Sequence, residues 1–453
     1  MVSYARSSRQ RLPPQPRRLP IIGNWFQTID RRWLFSREYD AFDVLEDRAS
    51  SSSGRPRLIL ANEILYGGFA TSLPVMDHGE VWRRMRRAAQ EAFTKVAVQR
   101  YHPILTKEAT ILVSALLTNP EGREQHIQRT AASAIMSISY DYPTLTSGHD
   151  KAVQDMDRHV HWVARASART SPVEFFPWMI HIPKRFAKWK RESLKRAAER
   201  SEIFLRLFNR VKTDLVSVGV RPSFSATLIE HHDRYRLSER EMVFLAGQMY
   251  GAGFDTTSTT LMWWTLAMVA FPEVQCRAQA ELGAVVGRAR LPTFADAPRL
   301  PYVRAIIREV SRWRPALRLG LPHAAAEDEW YDGMFIPKGA TCIANIWHCN
   351  HDRAVFSPKE TNKEGHVSFG FGRRICVGKN LANDSLFIYT ARVLWAANLG
   401  CARDENGKER PPDTSAFVDG GITSRPLPYD CIITPRFQEA LSILVEERES
   451  FQD

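Results

Sequence analysis

The 453-residue chain contains no run of about 18 apolar residues, the length that a helix needs to cross the hydrocarbon core of a bilayer. Cysteine is scarce and scattered, at 276, 342, 349, 376, 401 and 431, with no CxxC spacing and no secretory signal ahead of it. A disulfide framework is therefore not expected, and a reducing compartment fits. The chain carries no flavin or nicotinamide fingerprint of its own. It also lacks Cys/His finger spacing, an RNA-binding aromatic signature and a basic heptad region, which excludes the common nucleic-acid modules. His348-Cys349-Asn350-His351 has no second ligand pair for zinc and reads as a strand end plus loop. What the chain has in surplus is positive charge: +12 at neutral pH. With nucleic acid set aside, that surplus points to an acidic protein partner or an anionic membrane surface.

Residues 1–24 alternate Arg6, Arg9, Arg11, Arg17 and Arg18 with prolines. Proline fixes φ and removes backbone donors, so this piece is expected to be a stiff, extended lead-in to the domain that follows, 25–453; the alternative on composition is a disordered basic tail. Ala41–Arg48 reads as a short amphipathic helix before a serine-rich loop, Ser50–Ser53. Val81–Lys95 reads as an arginine-rich helix, and 98–235 as several helices with polar linkers. The most legible element runs from about Ser238 to Phe271. Ser238 and Glu241 form a capping box, Pro272 closes the far end, and the length is about 50 Å at ~1.5 Å per residue. Its apolar residues cover most faces, which implies burial. Gly251 and Gly253 sit inside it at a cost of about 1 kcal/mol each, so a ligand approach or a kink is expected there. Further helices are expected over Pro272–Val286, Leu300–Trp313 and Leu381–Leu399. Tyr331–Gly339 reads as hairpin material, and Gly420-Gly421 with Pro426 as a turn-rich region.

Chemistry concentrates in Phe369-Gly370-Phe371-Gly372-Arg373-Arg374-Ile375-Cys376-Val377-Gly378, a single cysteine in a glycine-punctuated loop just before an apolar helix. A helix N-terminus and neighbouring cations favour the thiolate, the form that binds iron. The pattern F-x-x-G-x-R-x-C-x-G resembles the haem-binding loop of the cytochrome P-450 family, the haem-thiolate monooxygenases. The resemblance covers roughly Pro13 to the end and is strongest from Gly251 to Leu399.

It implies a mainly α fold with a small β region: one large domain with a long central helix over the haem. It implies haem b with Cys376 as axial ligand, Phe369 covering the sulfur, and Gly372 and Gly378 admitting the backbone close to the porphyrin. Glu309 and Arg312, at i and i+3 on one helix face, resemble the ion pair that holds the scaffold behind the haem loop. Ala252-Gly253-Phe254-Asp255-Thr256-Thr257 resembles the oxygen-activation motif, with Thr256 bonding dioxygen and Asp255 feeding protons through water. The alternative on local chemistry is that Thr256 bonds back to a helical carbonyl and Asp255 pairs with a surface base. Trp82, Arg86, Arg374 and His323 are candidate partners for the haem propionates. Many relatives carry arginine after such a histidine; here the residue is Ala324.

The family resemblance further implies an apolar small-molecule substrate, with Met249, Phe254, Leu317, Leu319 and Gly421-Ile422 as candidate walls, and O₂ as co-substrate. Electrons are expected from NADPH-cytochrome P-450 reductase, with cytochrome b5 as a second donor, docking on a basic face around Arg83, Arg87, Arg373 and Lys379. Residues 13–23 resemble the hinge after a microsomal anchor; without that anchor, peripheral contact with the cytosolic face of the endoplasmic reticulum is expected. Two internal segments look shortened: one before Ala41, and one bridged by Lys359–Glu364, where relatives place a third partner of the Glu309–Arg312 pair. The alternatives are a reductase-independent isomerase or dehydratase, against which the retained Asp255-Thr256 argues, and a truncated haem-binding remnant.

Overall fold

A computed structural model describes residues 72–145, 150–168, 177–217, 222–331, 333–352 and 365–451. The lead-in at 1–24, the helix expected at Ala41–Arg48, the loop Ser50–Ser53 and the bridge Lys359–Glu364 lie outside the described residues, as do the two segments read as shortened.

The described chain is mostly helical. Its principal helices are α1 (Glu80–Ala92), α2 (His102–Thr118), α3 (Arg123–Tyr140), α4 (Lys151–Ala168), α5 (Lys188–Ser217), α6 (Phe224–Glu230), α7 (Glu239–Ala270), α8 (Pro272–Val285), α9 (Pro301–Trp313), α10 (Ile346–His351), α11 (Lys379–Ala396) and α12 (Ala440–Glu449). Four small antiparallel sheets accompany them. β1 (His323–Ala324) pairs with β4 (Thr341–Cys342), and β2 (Glu329–Tyr331) with β3 (Met334–Ile336). β5 (Ala397–Arg403) lies between β6 (Glu409–Arg410) and β9 (Cys431–Pro435), and β7 (Phe417–Asp419) pairs with β8 (Ser424–Pro426).

α7 is the axis of the molecule. Its capping box forms as expected: the Ser238 amide donates to Glu241 (2.7 Å) and the Glu241 amide to Ser238 Oγ (3.3 Å). From Met242 to Val269 most of its side chains are buried. The glycines inside it have a packing reason rather than a ligand or a kink. A Cβ on Gly253 would come within 2.8 Å of Ile135 on α3, one on Gly251 within 3.2 Å of Val160 on α4, and one on Gly247 within 2.3 Å of the Phe204 ring on α5. Three neighbouring helices thus approach the α7 backbone where a side chain is missing, and the tighter contact offsets the helix-propensity cost.

α1 buries Trp82, Met85, Ala88, Ala89 and Ala92, a single face at helical spacing, and turns its arginines outward or to the rim. α11 is buried on every side from Ser385 to Ala396. The apolar run expected to stay helical to Leu399 changes at Ala397, where β5 begins and pairs with β9. A short fully apolar run does not distinguish a buried helix from a buried strand; the partner strand decides. His348-Cys349-Asn350-His351 is likewise helical, in α10, not a strand end. There the Asn345 side chain accepts the His348 amide at 3.0 Å as an N-cap.

The approach to α9 rests on one buried carboxylate. Asp296 accepts from Arg290 through both oxygens at 2.7 Å, from Arg299 at 2.7 Å, and from the amide and hydroxyl of Thr293 at 3.0 Å. These donors, led by Arg290, hold its carboxyl well below the usual carboxylate range. Stability from a depressed carboxylate is complete above the unfolded value of about 4 and is lost as pH falls toward the folded value. Asp296→Asn should therefore cost roughly 2 kcal/mol at neutral pH, less than a fully buried pair because both arginines are about half in water. The gap from the unmodified chain should narrow below about pH 4. Denaturant unfolding at pH 7 and pH 3 checks this; a gap that is constant across the two refutes the charge argument.

Candidate active site

The loop that precedes α11 is shaped by its glycines. Gly370 and Gly372 have φ of 70° and 59°, a left-handed backbone that a side chain would strain. The loop closes on itself through the Cys376 amide, which donates to the Phe369 carbonyl at 2.9 Å. Gly378 is the N-cap position of α11. Backbone amides of Gly378 and Lys379 point at the Cys376 sulfur, and a Cβ added at Gly378 would meet that sulfur at 3.8 Å. The sulfur thus sits where the first amides of a long helix converge.

Burial pushes the Cys376 thiol up. The amides of Gly378 and Lys379 and the cations Arg86 and Lys379 oppose that shift but do not reverse it. Desolvation of the bare sulfur is thus set against the helix-start amides and cations that favour the thiolate. Ligation to a metal ion would offset that desolvation. The nearby cations also differ from those expected: Arg373 is exposed, and Arg374 is turned aside to other partners. The Cys376 side chain is nevertheless exposed, so its sulfur is open to an incoming group. Ala252, halfway along the otherwise buried α7, is also exposed. Cys431 is a different kind of cysteine. It lies on β9 opposite Cys401, against Arg123, with no helix start aimed at it.

The four candidates for anionic substituents converge. Trp82 and Arg86 share one face of α1, and the Arg374 guanidinium lies 4.2 Å from the centroid of the Trp82 ring. Arg374 donates to the carbonyls of Leu73 (3.3 Å) and Met76 (2.9 Å), and Trp82 Nε1 to that of Leu73 (3.2 Å). Burial lowers the Arg374 pKa to about 10, leaving it charged at neutral pH. His323 on β1 lies near enough for Arg374 to influence it. Burial and then that cation hold its pKa below the ordinary value, so it is a neutral donor rather than a second cation.

Behind the loop, Arg312 binds Glu309 through two bonds (2.8 and 2.6 Å) and spends a further N–H on the carbonyl of Asn350 at 2.7 Å. Asn350 is fully buried. Its side-chain oxygen accepts the Val367 amide at 2.8 Å, and its amide donates to Ser368 Oγ at 2.9 Å, which in turn donates to the Ser311 carbonyl at 2.7 Å. The ion pair therefore reaches the cysteine loop through α10. Sequence reasoning missed Asn350 and Ser368. A polar residue on the buried side of a short helix was the only available signal, and without the fold it read as loop polarity. Asn350→Ala should orphan the Val367 amide, at roughly 1–3 kcal/mol, and remove the donor to the Ser368 hydroxyl, lowering both the thermal midpoint and the haem-to-protein absorbance ratio. Unchanged values would show that the loop is held by other means.

On α7, Thr256 Oγ1 donates to the Ala252 carbonyl at 2.7 Å, the back-bonded arrangement. Asp255 does not pair with a surface base. Its Oδ2 accepts from Thr423 Oγ1 at 2.8 Å, across from the β7–β8 hairpin. Burial raises the Asp255 pKa; Thr423, His161 and Arg425 oppose the rise. Of the expected walls, Met249 and Phe254 are buried in the helical core, Phe254 stacked on Tyr250 at 5.7 Å. Leu317, Leu319 and Ile422 are half-buried. The surroundings of Asp255 are more polar than an apolar cavity: Asp157 on α4 accepts from Tyr250, and His161 lies one turn further on.

Among the described residues no group of three His, Cys, Asp or Glu side chains can hold a metal ion. A lone, exposed sulfur with converging amides and a guanidinium–indole–imidazole cluster make a donor set for a metal whose other ligands arrive with an organic macrocycle bearing carboxylates. A haem fits these residues.

The cytochrome P-450 family profile matches residues 33–430. A cytochrome P450 monooxygenase of Armillaria gallica is 45% identical, covering 99% of this chain and 94% of the relative, and iboC of Amanita muscaria is 33% identical over 99% and 95%. The first alignment extends over 495 positions, more than the chain contains, so that relative has residues without a counterpart here. Two solved zebra fish cytochrome P450 structures, with abiraterone and with progesterone, are 24% identical with TM-scores of 0.69 and 0.71, each covering 87% of this chain and 91% of the other. No described helix is long and apolar enough to cross a membrane.

Proposed function

The chain belongs to the cytochrome P-450 family, and on that premise we propose that it is a monooxygenase of fungal secondary metabolism, placing one atom of O₂ into an apolar small molecule such as a terpenoid or polyketide. The observation that carries the site assignment is the exposed Cys376 sulfur beneath the amides of Gly378 and Lys379. When bound there, haem with a thiolate ligand supplies the electron-rich iron that cleaves O–O bonds. The chain's part is to hold, orient and protonate. Cys376 would hold the iron, its sulfur oriented by the two amides. Arg86, Arg374, Trp82 and neutral His323 would hold the propionates. A bond from Arg374 to a carboxylate there would be stronger than its bonds to backbone carbonyls, because both groups are charged.

Proton delivery falls to Asp255 and Thr256. The Thr256 hydroxyl holds the Ala252 carbonyl, and turning it toward a reacting oxygen costs about one hydrogen bond, ~1 kcal/mol. A raised Asp255 pKa keeps the acid closer to working pH. Retention of both residues disfavours the reductase-independent isomerase or dehydratase. The intact path from Glu309 through Asn350 to the cysteine loop disfavours the haem-binding remnant.

Electrons come, in this reading, from NADPH-cytochrome P-450 reductase, with cytochrome b5 as an auxiliary donor, on the face bearing Arg83, Arg87, Arg373 and Lys379. Arg83 and Arg87 have acidic neighbours, Glu80 (3.0 Å) and Glu91 (3.4 Å), so attraction there is moderated and acts on encounter more than on affinity. Peripheral membrane contact has support between α4 and α5, where Trp178 is 64% and Phe186 71% exposed beside Lys184, Arg185 and Lys188, an apolar and basic combination suited to a headgroup interface.

Cys376→Ala should abolish the thiolate-type carbon monoxide difference spectrum while the protein stays folded; a surviving thiolate spectrum would move the ligand to another cysteine. Thr256→Ala should keep that spectrum and divert reducing equivalents from product to hydrogen peroxide by roughly tenfold or more, the scale of positioned acid–base groups. An unchanged ratio of peroxide to NADPH consumed would remove Thr256 from the reaction.

A further inference from the structure

We infer that Thr423, at the tip of the β7–β8 hairpin, is a positioning residue that holds the Asp255 carboxylate in the orientation used for proton delivery. This rests on the reading of Asp255 as the acid. The geometry is a 2.8 Å bond from Thr423 Oγ1 to Asp255 Oδ2, linking residues 168 positions apart, with Thr423 itself only 6% exposed.

The hairpin tip is tied down on both sides of that bond. Trp263 Nε1, two turns along α7 from Asp255, donates to the Ser424 carbonyl at 2.7 Å. The Ser424 amide donates to the Ala316 carbonyl at 3.0 Å, and the Gly420 amide to the Thr423 carbonyl at 2.9 Å. Gly421, with φ of 104°, makes the turn that presents Thr423. A hydroxyl fixed this way acts as a stop for the carboxylate and occupies one of its oxygens.

The bond matters because the acid and the alcohol are held by different partners. Thr256 is tied to its own helix at Ala252, and Asp255 to the hairpin. Their separation is therefore set by where the hairpin sits relative to α7. Ile422, a candidate substrate wall, immediately precedes Thr423, so a substrate pressing on the tip also bears on the acid. Other groups face Asp255 as well: Asp157 and His161 from α4 and Arg425 from β8, with Tyr250 one turn earlier on α7 binding Asp157. Thr423 is the one that donates to it directly among the described residues. A hydrogen bond to a carboxylate favours its charged form, so loss of the hydroxyl must move Asp255 titration to higher pH.

The test uses the full-length haem-loaded protein and compares Thr423→Val, Thr423→Ala, Thr423→Ser and Asp255→Asn. An infrared titration follows the Asp255 carboxyl band, identified by its absence in Asp255→Asn. The expected result is a midpoint about one pH unit higher in Thr423→Val, the scale of one lost hydrogen bond, with return to the original midpoint in Thr423→Ser. In turnover, the pH at which peroxide overtakes product should shift by the same amount and direction. If Thr423→Val does not load haem, Thr423→Ala carries the comparison, since it also loses the hydroxyl without the branched side chain. A midpoint unchanged in the hydroxyl-less variant overturns the proposal. A shifted midpoint with no change of coupling in Asp255→Asn leaves the bond intact but removes Asp255 from proton delivery, a failure of the functional reading rather than of the contact.

Discussion

Everything in the site hangs on bringing a cysteine sulfur beneath the first amides of α11. The helix start supplies donors that no side chain competes for, and the burial of α11 fixes their direction. The same surroundings desolvate the sulfur, so the helix-start amides and the nearby cations work against a cost that burial imposes. The loop cannot hold this position alone, since two of its residues adopt left-handed backbone conformations. Support comes from behind, through Asn350 and Ser368.

That support explains the fold's economy. Arg312 is exposed enough to keep an ion pair with Glu309 that is worth little by itself. Its third bond, to the Asn350 carbonyl, turns a surface-type pair into the outer end of a chain of hydrogen bonds that ends in the loop. α7 carries the acid–alcohol pair. Its glycines let α3, α4 and α5 pack against its backbone, which fixes the register at which Ala252, Asp255 and Thr256 are presented.

Much was legible in the chain. The cysteine loop, the Glu309–Arg312 pair and the Asp255-Thr256 motif each carry a local chemical logic, and α7 announces its ends by a capping box and a proline. Asn350, Ser368 and Thr423 had no such signal. Each acts through a partner 17 to 168 positions away, and polarity at one position does not say what it will face. The switch from helix to strand at Ala397 was hidden for the same reason, because an apolar run is compatible with either until a partner strand is present.

The sequence by itself determined the candidate ligand loop, the helix that follows it and the family resemblance, because those depend on residues within a few positions of one another. Tertiary structure decided the state of the groups. It pushed the Cys376 thiol up and His323 down by burial, turned Arg374 toward backbone carbonyls, and tied Asp255 to a distant hairpin. Protonation and orientation answer to desolvation and to neighbours in space, and neither exists until the chain has folded.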